Sequence, residues 1–338
     1  MSFPLLGRVL LGFGLVSASA CQSGKGPHGP GPGGTTPTTT PTPTTTTEDD
    51  TGTPGTTGTT PPYEFDCTTV PNTTGSMTPI DAARGSYDLT FDTDGNILGW
   101  DNGLMKADYY GNGQMFSPPV NNLQGMDWLP DGDLVVAEID TRALIRVNHK
   151  TGGVSLISTD VGAYGVKVGP DGMIYTGTDD NVVRVDPVTG ERTLLIDDPR
   201  FNARSIDFSP DFTKLYMGTY FGDGRFWVVD LDANLNPIGD PVVFAENVGN
   251  GTEHDAVGVD ICGNVLVVDY GTLTLYRITP DGQRSVLLEF SDEHYGHGIA
   301  WGSGIGGWKT HSIYMPEPWF GNTVFEIDVG VPSRSFVP

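Results

Sequence analysis

Basic side chains are scarce in this sequence. Lys and Arg together number 18 against 42 Asp and Glu, which gives the 338 residues a formal net charge of −24. Because like charges repel, nucleic acids and anionic lipid surfaces are not expected as partners. The acidity is compatible with divalent cations, with basic partners, or simply with a secreted protein that its own charge keeps dispersed.

A membrane-spanning apolar segment is also missing from the start of the chain. The apolar run Val9–Val16 is too short to cross a bilayer, but it has the length of a signal-peptide core. Small residues then lead to Cys21, and residues 1–21 resemble a bacterial lipoprotein signal in which Cys21 is lipidated. Gln22 rather than Asp follows the cysteine, so the resemblance favours the outer membrane of the cell envelope. Ordinary cleavage after Ala20, which would give a secreted protein, is the alternative.

Apolar side chains are nearly absent from the next segment, residues 22–62. It consists largely of Thr, Pro and Gly, so it cannot bury enough surface to offset the entropy lost on ordering. We expect a disordered spacer that holds the remainder of the chain away from a membrane surface. That remainder, residues 63–338, is long enough for one sizeable folded domain.

Cysteine is rare, with three residues in the whole chain. Apart from Cys21, these are Cys67 and Cys262. An oxidising envelope compartment favours a disulfide between the two, which would tie the segment before the first repeat to the folded body. Two unpaired thiols are the alternative. The sequence also has no nucleophile-elbow motif and no phosphate-loop motif.

Helical periodicity is hard to find, and one strand-turn-strand pattern recurs instead. Its clearest copy is Ser205–Asp211 followed by Leu215–Thr219. Equivalent hairpins begin at Leu89, Met126, Val166, Val257 and Ile299. A third short strand follows in most copies and a fourth in many, at the spacing of roughly 40 residues that propeller repeats have. Six such units predict an all-β fold, a six-bladed β-propeller with four-stranded antiparallel blades.

Closure of the ring needs one more strand than the last unit supplies. A propeller must close on itself or leave a bare sheet edge, and only Val329–Pro338 follow the third strand of the last unit. Either that tail or the leader around Tyr63–Val70 must complete the blade, and the sequence leaves the choice open.

A ring of polar residues is predicted where the six innermost strands begin. Aligned on that strand, most units place a small residue immediately before the apolar pattern, because the backbones converge near the axis. The residues that precede these positions are equivalent and should surround the channel mouth. They are Tyr87, Gln124, Tyr164, Arg204, Asp255 and His297.

The loops between second and third strands should open on the same face. They carry Glu138 and the aromatic residues Trp100, Tyr220, Phe221, Trp319 and Phe320. Converging polar groups with aromatic walls predict a ligand pocket, although a wet channel mouth without a ligand would also be polar. Within it, His297 and Asp255 suit acid–base chemistry, and Arg204 suits a carboxylate or carbonyl oxygen. The other residues expected to contact a ligand are Tyr87, Gln124, Tyr164 and Glu138.

These repeats resemble the gluconolactonase/senescence-marker superfamily of six-bladed propellers, and more loosely virginiamycin B lyase. The resemblance covers about Ser86–Ile327. The phrases that carry it are Ser205–Tyr216, Asp255–Asp260 and Gly263–Val268.

The resemblance implies one divalent cation, calcium or magnesium, as the cofactor. The lactonases of the superfamily bind an axial ion through a Glu, an Asn and an Asp, and hard oxygen ligands of this kind suit calcium. By position these ligands fall on Tyr87, Arg204 and Asp255, so Asp255 alone matches, and Arg204 places a fixed positive charge there. The lyases use histidines and a Glu with magnesium, a set that His297 and Glu138 reproduce in part.

Three other candidates are not expected to bind a metal ion or a ligand. Asp92–Asn96 resembles the start of a calcium loop but lacks the later Glu, so it is expected to form the first turn of a blade. His254 and His294 flank the ring and are expected in solvated loops.

We consider two functions. The first is a monomeric, envelope-anchored propeller that binds a small molecule or a protein partner at the ring. The second is a lactone or ester hydrolase, or a lyase, that uses Asp255, His297 and Arg204 at the same place. Carboxylates gathered around Asp255 would favour the enzyme, whereas a salt bridge from Arg204 to Asp255 would weigh against it.

Overall fold

A computed structural model describes the chain from Phe65 onward, within the compact unit Thr60–Pro338. The described residues are 65–81, 87–178, 180–198, 200, 202–220, 222–249, 253–291, 296–317 and 323–334. The predicted signal peptide, its Cys21 and the spacer lie outside them. Within these ranges there is no helix that is long and apolar enough to cross a bilayer.

The described residues form 24 strands in six four-stranded antiparallel sheets, which confirms the predicted six-bladed β-propeller. A turn of 3-10 helix, Cys67–Thr69, precedes the first strand, β1, at Met77–Ile80. Blade one comprises β2 (Thr90–Phe91), β3 (Ile97–Trp100), β4 (Leu104–Ala107) and β5 (Gly113–Met115). Blade two comprises β6 (Leu123–Trp128), β7 (Leu134–Glu138), β8 (Ala143–Val147) and β9 (Val154–Ser158). Blade three comprises β10 (Val166–Val168), β11 (Ile174–Gly177), β12 (Asn181–Val185) and β13 (Arg192–Asp197).

The second half of the chain repeats this pattern. Blade four comprises β14 (Asn202–Phe208), β15 (Lys214–Tyr220), β16 (Phe226–Leu231) and β17 (Pro237–Ala245). Blade five comprises β18 (His254–Val259), β19 (Val265–Asp269), β20 (Thr274–Ile278) and β21 (Arg284–Glu289). Blade six comprises β22 (Ala300–Trp301), β23 (Ser312–Glu317) and β24 (Thr323–Asp328), with β1 as its outermost strand.

The second strands are apolar and buried because each blade packs face to face between two others. Every residue of β7, β19 and β23 is buried, whereas the outer strand β9 is mostly exposed. The core therefore lies between neighbouring blades. Tyr175 of blade three, for example, packs in one apolar cluster with Phe208 of blade four.

The N-terminal leader closes the ring. β1 pairs antiparallel with β24, with Met77 opposite Ile327 and Ile80 opposite Val324. Of the two segments that the sequence left open, the leader thus supplies the missing strand, but from residues just after Tyr63–Val70. Blade six is therefore built from the leader strand and three strands near the other end of the chain, which closes the ring of blades.

The tail crosses the end of the channel opposite the predicted ring. The backbone N–H of Ile261 donates to the carbonyl of Pro332 at 3.0 Å, and Ser333 pairs with Asp260. Arg334 then donates from Nη2 to Asp207 Oδ1 at 2.7 Å. The tail therefore fastens blades rather than completing one.

Cys67 and Cys262 form the predicted disulfide, with an S–S distance of 2.06 Å. Cys262 lies in the turn after β18, at the opposite end of that strand from Asp255. The leader consequently enters the propeller on the face away from the ring. The bridge joins residues 195 positions apart, so the loop that it closes contains blades one to four and the first strand of blade five.

Asp side chains close turns and join blades. Asp92 accepts the backbone N–H groups of Asp94 and Asn96 at 3.0 and 2.8 Å, so Asp92–Asn96 is the blade turn that the sequence predicted.

Other Asp side chains join neighbouring blades, a role that the sequence did not predict. Three inner-strand carboxylates accept a backbone N–H of the next blade, at 2.7 to 3.1 Å. The pairs are Asp88 with Met126, Asp127 with Val168 and Asp207 with Val259.

Removal of the disulfide should destabilise the propeller. In the double variant Cys67→Ser/Cys262→Ser the unfolded chain regains loop entropy, and we expect a loss of roughly 2–5 kcal/mol in the free energy of unfolding. Urea unfolding followed by tryptophan fluorescence measures this loss. An unchanged urea midpoint in the variant, or a fully reduced wild type that unfolds at the same urea concentration as the oxidised protein, would contradict the stabilising role.

Candidate functional site

β-Bulges aim three of the predicted ring residues at the channel. In β6, β14 and β18 the strand pairing skips one residue, which lies between partners that remain in register. The skipped residues are Gln124, Arg204 and Asp255. A bulged residue leaves the ladder and its side chain is redirected, so these three point away from the blade.

Crowding at the axis explains the small residue that follows each bulge. A Cβ on Gly125 would clash with the carbonyl oxygen of Tyr164. Gly165 donates its backbone N–H to the carbonyl of Arg204 at 2.8 Å. His297 is followed by Gly298, whose φ of 56° is a left-handed conformation that favours glycine. Inner strands of adjacent blades therefore approach closely enough to fix each other's ring residues.

Asp255 is the hub of the site. Its side chain is 1% exposed, with Oδ1 at 2.9 Å from Nε of Arg204 and Oδ2 at 3.0 Å from Nδ1 of His297. Both distances are those of ion pairs, but neither contact meets the angular limits of a hydrogen bond. We therefore treat the attraction as mainly Coulombic, and it is strong because the carboxylate is shielded from water.

Two tyrosine rings hold the guanidinium of Arg204. Its central carbon lies 4.9 Å from the ring centre of Tyr164 and 4.3 Å from that of Tyr220. Such cation–π contacts fix the plane of the group. Apart from Asp255, no hydrogen bond or ion pair joins this guanidinium to a described residue. Its terminal N–H groups are therefore available to a ligand.

His297 is buried and oriented. It is 6% exposed, and the ring of Tyr87 meets it edge-on at 5.1 Å. A proton on Nδ1 faces Asp255, which leaves Nε2 as an acceptor in the neutral tautomer assigned from this geometry. Nε2 has no hydrogen-bond partner among the described residues. A buried nitrogen of this kind is suited to accept a proton or to bind a ligand.

All six ring residues line one cavity. Tyr87, Gln124 and Tyr164 join Arg204, Asp255 and His297 around a volume of about 40 Å³. This space admits a water molecule or one small functional group. The sequence prediction of a shared ring is therefore supported in its geometry.

Two residues from the loops belong to the scaffold rather than to the pocket. Glu138 is buried, and its oxygens accept the N–H of Asn121 at 2.7 Å and the hydroxyl of Thr141 at 2.9 Å. Trp100 donates from Nε1 to Val120 at 2.8 Å and packs in the apolar cluster of blades one and two. Their expected ligand contacts are therefore not supported, because both side chains already have structural partners. Phe221, Trp319 and Phe320 lie outside the described residues.

His254 is also structural. It is fully buried, Nδ1 accepts the N–H of Thr219 at 3.1 Å, and Nε2 donates to Val248 at 2.8 Å. Burial lowers the pKa of His254 below its ordinary value, so the ring stays neutral. The expectation of a solvated loop histidine was wrong here, and His294 lies outside the described residues.

Glu253 immediately precedes β18 and lies two residues before Asp255. It pairs with Tyr220 in an isolated bridge. Burial raises the pKa of Glu253 above its ordinary value, and the Asp255 carboxylate raises it further, while the hydroxyl of Tyr220 opposes both effects.

The residues at the mouth do not fit a divalent cation. Among the described residues no group of three or more His, Cys, Asp or Glu side chains is placed to hold a metal ion. Asp255 supplies one carboxylate, but Arg204 already pairs with it at 2.9 Å. Tyr87 offers no carboxylate at the position of the family's Glu. Calcium needs six or more oxygen ligands, so the implied cofactor lacks its donor set here.

No protein family and no curated protein matches this sequence. Solved structures do match. A calcium-binding regucalcin from Agrobacterium tumefaciens has 19% identity and a TM-score of 0.60, covering 77% of this chain and 94% of its own. A gluconolactonase from Xanthomonas campestris has 15% identity and a TM-score of 0.62, covering 76% and 89%. A streptogramin B lyase has 15% identity and a TM-score of 0.52, covering 75% and 97%.

The fold is that of the gluconolactonase- and regucalcin-like six-bladed propellers. Identities this low establish the fold alone, and the site has to be judged from its own residues. The suggested resemblance in architecture is thus confirmed, while the calcium of the regucalcin has no matching ligand set among the described residues.

Asp88, at the base of the mouth cavity, should make stability depend on pH. Burial raises its pKa from the ordinary 3.8 to about 6. The folded state thus binds this proton more tightly than the unfolded state, so the contribution of Asp88 to stability falls as pH rises from about 4 to about 6. We expect the difference in Tm, Asp88→Asn minus wild type, to increase over that range in differential scanning fluorimetry.

A matched control is Asp108→Asn on the exposed surface. Hydrogen bonds from Asn112 hold the pKa of Asp108 below its ordinary value, so its effect should change only below about pH 4. A difference for Asp88→Asn that stays constant between pH 4 and pH 7 would show that the carboxyl is not buried as described.

Proposed function

We propose that this protein is an envelope-anchored propeller lipoprotein that binds a small molecule at the channel mouth. The observation that carries the proposal is the arrangement of Arg204, fixed by Asp255 and two tyrosine rings, beside Nε2 of buried His297, which has no hydrogen-bond partner in the part of the chain that the structure describes. Rigid donors with unused hydrogen-bonding capacity, gathered in one cavity, are typical of ligand sites.

The chemistry of these groups favours an oxygen-bearing ligand. The free N–H groups of Arg204 can donate to a carbonyl or carboxylate oxygen, and His297 can accept from a neighbouring hydroxyl. The cavity of about 40 Å³ takes one such functional group, so the remainder of the ligand would lie above it. A protein partner would have to insert a single protruding group, which makes a small molecule the better fit. We propose that the chain acts as a monomer, which light scattering tests.

Loss of the guanidinium should weaken ligand binding. We expect Arg204→Met to weaken affinity by roughly 10–100-fold, because charge-assisted hydrogen bonds of about 1.5–3 kcal/mol are lost. Thermal shift and calorimetry with a panel of small hydroxycarboxylic acids and their lactones provide the measurement. Arg225→Met, in an exposed pair with Asp223 on the surface, is the control. Equal binding by Arg204→Met and wild type would refute the proposal.

The salt bridge from Arg204 to Asp255 weighs against a hydrolase or lyase, as stated for the sequence, but one observation favours this second candidate. Nδ1 of His297 lies 3.0 Å from Asp255 while Nε2 is free and buried, which is the orientation of a general base. Nε2 would take a proton from water in hydrolysis of a lactone or ester, or from the carbon beside a carbonyl in a lyase. Arg204 would stabilise the negative charge that develops on the carbonyl oxygen.

Separate effects on binding and turnover distinguish the two candidates. In an enzyme, His297→Asn should remove turnover of a lactone or ester in the panel while affinity changes little, since Arg204 still holds the oxygen. In a pure binding protein, wild type shows no turnover at all. Turnover that survives in His297→Asn would exclude His297 as the base.

The anchoring proposal rests on the segment that ends in Cys21. Small residues before Cys21 and the Thr- and Pro-rich spacer after it support a lipidated N-terminus with the propeller held off the outer membrane. Cells fed a labelled fatty acid should label the wild type but not Cys21→Ser. A wild type that stays unlabelled and appears in the medium would favour secretion after cleavage at Ala20.

A further inference from the structure

The central channel contains two cationic side chains at successive levels. Arg204 lies at the mouth, and Lys167 lies deeper, where it lines both the mouth cavity and a second cavity of about 310 Å³ at the opposite end. Both residues are on inner strands or at their start, in the neighbouring blades four and three. Positive charge on the axis of this propeller is therefore built into the chain.

At the mouth, the guanidinium competes directly with any metal ion. A divalent cation bound to Asp255 would lie against the fixed positive charge of Arg204, whose Nε is 2.9 Å from the same carboxylate. The rings of Tyr164 and Tyr220 prevent the guanidinium from swinging aside. The carboxylate is already neutralised, and the remaining donors at the mouth include too few hard oxygens for calcium.

Deeper in the channel, Lys167 faces three carboxylates and one guanidinium. Asp88, Asp127 and Asp207 belong to blades one, two and four, and Arg334 of the tail pairs with Asp207. None of the three carboxylates forms a direct ion pair with Lys167 among the described residues, so it acts on them at longer range. Burial alone would lower the pKa of Lys167, but Asp207, Asp127 and Asp88 outweigh it and raise the pKa.

These carboxylates cannot turn away to be neutralised elsewhere. Each one accepts its own strand's next backbone N–H and one N–H of the following blade. They are therefore held close to the axis, where like charges repel. A positive charge between them reduces this repulsion.

We propose that Arg204 and Lys167 are resident cations that neutralise the channel carboxylates in place of a bound divalent ion. Arg204 thereby presents to a ligand oxygen the positive charge that a metal would otherwise supply, and Lys167 joins the inner strands electrostatically. The role of Arg204 toward a ligand rests on the proposed function, whereas the consequences for metal binding and stability do not.

The first test introduces a metal site by substitution. In the wild type, Tm should be the same in EDTA as in excess calcium or magnesium. Tyr87→Glu/Arg204→Asn removes the guanidinium and adds oxygen ligands beside Asp255, and it should gain a calcium-dependent rise of about 5 °C at a calcium concentration a hundredfold above Kd. Tyr87→Glu alone keeps the guanidinium and should not respond.

Matched controls identify the site. Adding Asp255→Asn to the double variant should remove the response to calcium. A wild type that calcium stabilises, with the effect lost in Asp255→Asn, would overturn the proposal, and so would a folded double variant that ignores calcium. Circular dichroism tests whether the double variant folds. If it does not, Arg204→Gln and wild type are compared by equilibrium dialysis with radioactive calcium. Calcium binding by the wild type alone would overturn the proposal.

The second test concerns Lys167 and needs no ligand. Without the ammonium, the three carboxylates repel one another when ionised, but protonation of Asp88, whose pKa is about 6, relieves this at low pH. Lys167→Met should therefore lose more Tm relative to wild type at pH 8 than at pH 5. Lys167→Arg keeps the charge and should follow the wild-type pH profile, and exposed Lys150→Met should change nothing. Equal losses for Lys167→Met at both pH values would show a packing role and overturn the proposal.

The outcomes for ligand and metal are separable. If Arg204→Met retains full affinity for every compound that binds, the proposed ligand site fails, while the calcium and pH results still decide whether the cations are resident.

Discussion

Closure of the sheet ring is the constraint on which the rest of the molecule depends. β1 fills the open edge of blade six by pairing with β24, and only a closed ring brings six inner strands around one axis. The Cys67–Cys262 bridge and the tail lie at the far end of the inner strands from Asp255. These contacts therefore lie on one face of the propeller, and the channel mouth opens on the opposite face.

Crowding at the axis then determines the character of the mouth. Glycine and other small residues allow the inner strands to approach, and bulges at Gln124, Arg204 and Asp255 turn polar side chains inward. Charges gathered in so confined a space must be matched, since water is largely excluded. Asp255 matches Arg204 at the mouth, and the deeper carboxylates are matched by Lys167 and Arg334.

The fold agrees with that of other propellers while the site has to be judged separately, because the two depend on different residues. Apolar packing between blades requires only a repeated pattern, so the architecture agrees with propellers that share less than a fifth of its sequence. The mouth depends on single side chains, and there the guanidinium of Arg204 lies against the Asp255 carboxylate. Architecture alone therefore does not transfer a reaction.

The sequence alone determined the propeller, its six blades and the six ring positions, because hairpin turns and alternating apolar residues are local and repeat at a regular spacing. It also indicated the partner of Cys67, because Cys262 is the other cysteine that follows the predicted signal segment. The tertiary structure decided that the leader closes the ring, that Glu138 and Trp100 serve the scaffold, and that Lys167 faces three carboxylates. Those outcomes depend on strand register, bulges and contacts between blades. Such contacts join residues far apart in the chain, and no local pattern records them.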